Sequence, residues 1–390
     1  MGRWMVLLLV AAALGGCSGA STGASDTTAG ADVCACTADA SVADTTSGAD
    51  LLASDDSSTA DGGLEDAALG DRSPGDGDLT PVDDAHSDVT SADDEQPDLA
   101  PGDDVQGVDP LAALSDEFDD AATVTQWKRL YQVEGWPHDQ LEGFDIDASR
   151  AGWLMMMPYS STWYQDYRGV LMFKRLSGNF VVTTSLEVRN RAGNGAPAAS
   201  YSLGGIFVRA PRDEIHQPSD WTAGNPQSEQ LAGENYMFLS LGSANQPGVY
   251  QTEVKRTRNS DSQLEIGPGQ GSAQIRVARI GSYFIMLIRY PGGAWQIHRR
   301  YSHTLMPPTL QVGLTTYTDW DSVQRVYPGN PYGHNTSPLP LDDQTTPDLV
   351  ARFDYVRFRT PAVPAELVSL DLTNQTAVPD SVLLAFLGFD

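Results

Sequence analysis

Ser282-Tyr283-Phe284-Ile285-Met286-Leu287-Ile288-Arg289-Tyr290, then Pro291-Gly292-Gly293, then Ala294-Trp295-Gln296-Ile297-His298-Arg299-Arg300-Tyr301, is the stretch that decides the fold of this chain. A turn tripeptide between two aromatic-rich runs predicts a tight hairpin. In the first run both alternating sets are apolar, Tyr283, Ile285 and Leu287 against Phe284, Met286 and Ile288. A strand buried on both faces usually lies in the centre of a sheet that another layer covers. Working outward, similar runs recur at Gly143–Ser149, Gly152–Met157, Gly169–Arg175, Asn179–Asn190, Leu203–Ala210, Asn235–Leu241, Gly248–Arg256, Ala273–Ile280, Thr309–Tyr317 and Leu349–Arg359. Little helical periodicity separates them. So many strands without long helices predict an all-β, antiparallel, two-sheet jelly-roll sandwich.

The composition changes sharply upstream of Leu111. Of the net charge of −28, residues 18–110 carry 23 Asp/Glu against a single Arg72, whereas residues 111–390 carry 29 acids and 22 bases. The acidic stretch has no aromatic residue and few large aliphatics, so it cannot offset the entropy of ordering itself. It is expected to be a disordered tether with an end-to-end distance on the order of 50–60 Å. No fixed period marks it as a calcium-binding repeat, and its charge argues against a nucleic-acid partner. The sandwich is expected to span residues 111–361. A C-terminal tail, 362–390, follows, and its apolar run after Asp380 suggests a short docked helix.

At the N-terminus, Arg3 precedes an uncharged apolar run from Trp4 to Leu14, too short to span a bilayer. It ends in Leu14-Gly15-Gly16-Cys17, small residues before a cysteine, which resembles the lipobox of bacterial lipoprotein signals. The resemblance implies cleavage after residue 16, lipidation of Cys17 and an exported, membrane-anchored protein. Ser18 stands where an inner-membrane retention signal would put Asp, so the outer membrane is the implied destination. Cys34 and Cys36 are the other cysteines, so no disulfide framework holds the sandwich, and neither is assigned a role.

Several motifs follow one another in a familiar order. They are Leu114-Ser115-Asp116-Glu117-Phe118 with Trp127, Asp145-Ile146-Asp147, Gly178-Asn179-Phe180-Val181-Val182, Gly204-Gly205-Ile206-Phe207-Val208-Arg209, Leu310-Gln311-Val312-Gly313-Leu314 and Ala351-Arg352-Phe353-Asp354-Tyr355-Val356-Arg357-Phe358. The set resembles the concanavalin A-like lectin/glucanase domains, most of all the non-catalytic branch related to the C-terminal domain of β-xylosidases. That resemblance implies a jelly roll, often with glycan bound on the concave sheet. Fold alone does not fix function.

Retaining glycosidases need two carboxylates about 5–5.5 Å apart. The Glu-x-Asp-x-(x)-Glu strand motif of the laminarinase and lichenase branch is absent. The nearest candidates, Asp145/Asp147 and Glu187, read as solvated outer-face residues. Gln296-Ile297-His298 resembles a motif of jelly-roll alginate lyases, in which Tyr317 and Arg209 would complete the set, but the other motifs of those lyases are missing. No zinc spacing, nucleophile elbow or phosphate loop occurs. Asp319/Asp321 and Asp342/Asp343 could help hold Ca²⁺, although paired loop aspartates are commonly turn formers, and no cofactor is expected.

Candidate ligand contacts remain. Strand alternation sends Trp295, Ile297, Val312 and Leu314 inward and Gln296, His298, Arg300, Gln311, Thr315 and Tyr317 toward an open face. With Arg209, these groups would suit a hydroxyl-rich or anionic sugar. Aromatic residues in predicted loops, Trp136, Trp163, Tyr164, Tyr167, Trp221, Trp320, Tyr327 and Tyr332, suit the apolar face of a sugar ring. Trp163, Trp221 and Trp320 are the chosen candidates among them. The expectation is a non-catalytic module that binds polysaccharide or glycoconjugate. The alternatives are a lyase or hydrolase with an atypical site, and an envelope domain that docks a protein.

Overall fold

The computed structural model describes residues 109–389 except 229 and 231. The predicted lipidation site Cys17, the pair Cys34 and Cys36, and the acidic stretch up to residue 108 lie outside them. Among the described residues four short α-helices occur: α1 (Leu130–Val133), α2 (Trp320–Val326), α3 (Pro331–Thr336) and α4 (Asp380–Leu387). The strands are β1 (Lys128–Arg129), β2 (Leu141–Ile146), β3 (Leu154–Pro158), β4 (Val170–Ser177), β5 (Phe180–Arg189), β6 (Ser202–Arg209) and β7 (Tyr236–Ser243). They continue with β8 (Gln251–Arg258), β9 (Asp261–Pro268), β10 (Ser272–Ile280), β11 (Tyr283–Arg289), β12 (Gln296–Ser302), β13 (Thr309–Tyr317) and β14 (Val350–Arg359).

They form two seven-stranded sheets, β1-β4-β13-β6-β7-β8-β9 and β12-β11-β10-β5-β14-β3-β2. All pairings between these strands are antiparallel. The chain is a jelly-roll sandwich. Its core lies between the sheets and follows the strand period of two. Phe180, Val182, Leu186 and Val188 of β5 face Ile206 and Val208 of β6 and Leu310, Val312 and Leu314 of β13 in one buried cluster.

The deciding hairpin, β11–β12, sits at the edge of the second sheet, with β11 second from the end. It is not central, yet β11 is covered on both faces. Phe284, Met286 and Ile288 enter the sandwich core. Ile285 and Leu287, with Val181, Ala278 and Trp295, meet Leu367, Leu372, Val378, Leu383, Phe386 and Leu387 of the C-terminal segment. That segment is the second layer which an all-apolar strand demands. Trp295 therefore packs on the outer face, held between the guanidinium groups of Arg276 at 4.2 Å and Arg289 at 4.8 Å.

Arginines of the sheet fasten the same segment through its backbone. Nη1 of Arg300 donates to the carbonyls of Leu372 (3.1 Å) and Val378 (2.6 Å), and Nη2 pairs with Asp380. Arg276 donates to the carbonyls of Leu387 and Phe389, and Arg359 to that of Phe386. The last carbonyls of a helix lack intrahelical partners. Here guanidinium groups of the sheet supply them. The start of the domain is tied to its last strand in a similar way: Asp109 accepts hydrogen bonds from the amide and hydroxyl of Thr360, and Asp116 and Val356 exchange backbone hydrogen bonds of 2.8 Å.

Candidate functional site

The outer face of the first sheet carries the polar residues that alternation assigned to it. Gln311, Thr315 and Tyr317 of β13 point away from Leu310, Val312 and Leu314. That face is not open, however. Trp163 from the β3–β4 connection lies on it, fully buried, with its ring 4.4 Å from Phe207 and 5.4 Å from Tyr236 and its indole donating to the Val170 carbonyl. Tyr317 is fully buried in the same apolar cluster, and burial pushes its hydroxyl far above the usual tyrosine range. The expectation that Trp163 and Tyr317 meet ligand is corrected here: both are core residues of a second, loop-built layer.

Beneath that layer lie two charged groups of residues. Arg209, fully buried, grips Glu234 through Nε (2.6 Å) and Nη2 (2.7 Å). Its Nη1 donates to Glu134 Oε1 at 2.7 Å and Gln311 Oε1 at 2.9 Å. Burial alone would lower the Arg209 pKa, but the two glutamates outweigh it and raise it above the ordinary arginine value. Farther along the sheet, Lys255 meets Glu253 at 2.9 Å and donates to the Trp163 carbonyl. Arg209 and Gln311 are thus brought together as predicted, but inside the protein.

The other half of the predicted face lies on the other sheet. A β-bulge opposite Met286 and Leu287 makes His298 the extra residue of β12 and breaks its alternation. Arg299 and Tyr301 turn inward, where both meet Glu265, and Arg300 turns outward under the C-terminal segment. Gln296 is exposed, and His298 is half-buried, with burial lowering its imidazole to about 4. The set Arg209, Gln296, His298, Arg300, Gln311 and Tyr317 does not form one face, because a bulge and two covering segments intervene.

An accessible aromatic group does exist. Trp136, Trp221 and Tyr332 gather from three separate connections. Their ring centroids are 6.3 Å apart for Trp136–Trp221, 6.5 Å for Trp136–Tyr332 and 5.9 Å for Trp221–Tyr332. Trp136 is the buried base of the group, Trp221 is half-buried and Tyr332 is 44% exposed. Local sequence builds each part. Pro331 opens α3 while the Asn330 side chain accepts from the Gly333 amide, which presents Tyr332 on the first turn. Asp220 accepts from the His216 amide and the Gln217 side chain, which fixes the turn before Trp221. Gly135 has φ of +67°, and a Cβ there would come within 2.0 Å of the His216 carbonyl oxygen, so glycine alone lets these two connections touch.

The rim is wired to the buried network. Trp136 Nε1 donates to Glu134 Oε2 at 2.8 Å, and the other oxygen of Glu134 belongs to Arg209. Behind Trp136 stands Arg168, its guanidinium 5.2 Å from the ring centroid. Its Nη2 donates to the carbonyls of His138 and Asn335. Nε and Nη1 of this buried residue have no hydrogen-bond partner among the described residues. Burial brings Arg168 down to about 10, and it remains charged at neutral pH. Sequence reading did not single out Arg168, Glu134 or Glu234. The available signal was an arginine closing the aromatic run Trp163-Tyr164-Gln165-Asp166-Tyr167-Arg168.

Trp320 belongs to a neighbouring aromatic group, half-buried at 5.4 Å from Tyr164 and 5.8 Å from Tyr167. Asp319, considered for Ca²⁺, is instead a staple: it accepts from Ser160 at 2.6 Å, from the Thr346 amide at 2.7 Å and from the Ser322 amide that opens α2. Asp342 caps the turn at Gln344. Among the described residues no three acidic, histidine or cysteine side chains form a metal-binding group.

No family model matches this sequence, and no curated protein matches it. Solved structures with a similar arrangement include a functionally unknown protein from Saccharomyces cerevisiae, 12% identical with a TM-score of 0.40 over 62% of this chain and 99% of that one. A xylan beta-1,4-xylosidase from Bacillus halodurans C-125 is 14% identical with a TM-score of 0.38, over 63% of this chain and 38% of that one. Basic winged bean lectin, solved with Tn-antigen, is 12% identical with a TM-score of 0.31, over 60% of this chain and 99% of that one. The chain thus spans well under half of the xylosidase. At these scores the likenesses say nothing about the site.

Proposed function

We propose that this chain is a lipid-anchored, exported protein whose jelly-roll domain binds polysaccharide or glycoconjugate without catalysis. The observation that carries the reading is the rim of half-buried Trp221 and exposed Tyr332 on a base of Trp136, backed by a buried arginine with donors to spare. A pyranose offers apolar C–H faces to aromatic rings, and this rim supplies such rings. The two carboxylates of the Arg209 network support binding over hydrolysis. Glu134 and Glu234 are both paired with Arg209, and Glu234 is held below the usual carboxylate range, because the pull of Arg209 and Arg212 outweighs its burial. A general acid must carry its proton near neutral pH. Glu234 does not.

On a glycan array, the wild-type chain is expected to select a defined set of saccharides. Trp221→Ala and Tyr332→Ala should each weaken that binding by about 2 kcal/mol, roughly thirtyfold, as interface aromatics do. Their melting temperatures should stay near that of wild type, since both side chains sit at the periphery. Undiminished binding by both variants would remove the rim from the site.

The anchor rests on Leu14-Gly15-Gly16-Cys17. In cells fed labelled palmitate, the wild-type chain should take up label and partition into detergent, and Cys17→Ser should do neither. Equal labelling of the variant would sink the lipoprotein reading.

A further inference from the structure

A cleft of about 260 Å³ opens where the free edges of the two sheets meet, between β8–β9 of the first and the end of β12 in the second. Arg256 and Arg258, two apart on β8, share one face and both line it. Arg256 lies over the Tyr301 ring at 5.5 Å and donates to the Gln263 amide oxygen, with no carboxylate among its partners. The Arg258 side chain is exposed and makes no ion pair or hydrogen bond among the described residues. Ser302 and Thr304 add hydroxyls to the wall, and His303 is anchored there by Nε2 donating to the Thr257 carbonyl at 3.0 Å. Asp261, across the hairpin turn, is the one acid lining the cleft, so two guanidinium charges face one carboxylate.

In a domain whose residues 111–390 carry 29 acids against 22 bases this is a local reversal of sign. Guanidinium groups hold carboxylates and sulfates through paired N–H donors, and neighbouring hydroxyls complete the hydrogen bonding. The cleft also adjoins the connection that carries Trp221 of the rim, for Pro226 lines it and lies five residues on in the same segment. We infer that this cleft receives the anionic substituent, carboxylate or sulfate ester, of an acidic saccharide. The inference rests on the saccharide reading and narrows its ligand to uronate-containing or sulfated chains.

The test uses the full chain and three probes: a galacturonate oligosaccharide, its methyl ester, and a sulfated galactan oligosaccharide. Wild type should bind at least one acidic probe about tenfold more tightly than the neutral ester at low salt, and the gap should close as salt rises. The better acidic probe identifies the substituent. Arg258→Gln, which keeps the backbone pairing with Asp261 and changes an exposed side chain, should erase the preference and leave binding of the neutral ester unchanged. Equal affinity of wild type for acidic and neutral probes, or a preference that survives in Arg258→Gln, would overturn the cleft's role and leave the saccharide reading standing. Failure of wild type to bind any of the three would overturn the cleft's role, and an empty glycan array would then mark the saccharide reading itself as the failure.

Discussion

Arg209→Ala is expected to destabilise the domain by about 3–5 kcal/mol, the cost of leaving buried carboxylates without their partner. Among the described residues Arg209 is the one cation hydrogen-bonded to both Glu134 and Glu234, and it also satisfies Gln311. Urea unfolding of the two proteins at pH 7 measures the loss directly. Its pH dependence carries a sign. In wild type the Glu234 pKa is lowered, so its contribution is present above the unfolded-state value and fades as pH falls through the folded one. In the variant, burial without Arg209 should raise that pKa, so the folded state gains from protonation below it. The gap between wild type and Arg209→Ala should therefore narrow as pH falls from 7 toward 4. A loss below 1 kcal/mol, or a gap that widens in acid, would contradict this account of the network.

Ending the chain at Pro361 should be more damaging still. The C-terminal segment covers Val181, Ala278, Ile285, Leu287 and Trp295. Burial of one large apolar side chain contributes about 1.5–3 kcal/mol, and whole domains are stable by only about 5–15 kcal/mol. Exposing this group, and freeing Arg276, Arg300 and Arg359 from the carbonyls they hold, should leave a chain that is insoluble or rapidly proteolysed. The check is soluble yield and resistance to limited proteolysis beside the full chain. A truncated protein melting within a few degrees of wild type would show that the segment is an appendage.

Most strands are legible because they carry their own period-two pattern. Thr309–Tyr317 was read with its bounds and its core face as they occur. Strand β9 was missed because it is an edge strand with only Leu264 and Ile266 as apolar markers. What alternation cannot reveal is the cover over an outward face. Tyr317 is outward as read, yet Trp163, far away in sequence, closes that face. Nor can it register a bulge, which sent Arg300 and His298 to different surroundings. The double apolar face of β11 did announce a covering layer, without saying that the C-terminal segment provides it. The rim was half legible. Its three aromatics stood out as loop residues, but only folding brings positions 136, 221 and 332 within about 6 Å of one another.

The central claim is that saccharide lies on this rim. Hydroxyl-radical footprinting of the full chain, read residue by residue with and without the saccharide that binds best, tests it most directly. Trp221 and Tyr332 should lose most of their oxidation when ligand is present, while exposed side chains elsewhere, such as Val368 at 74% exposure, should oxidise as before. Unchanged oxidation of Trp221 and Tyr332 at saturating ligand would contradict the account.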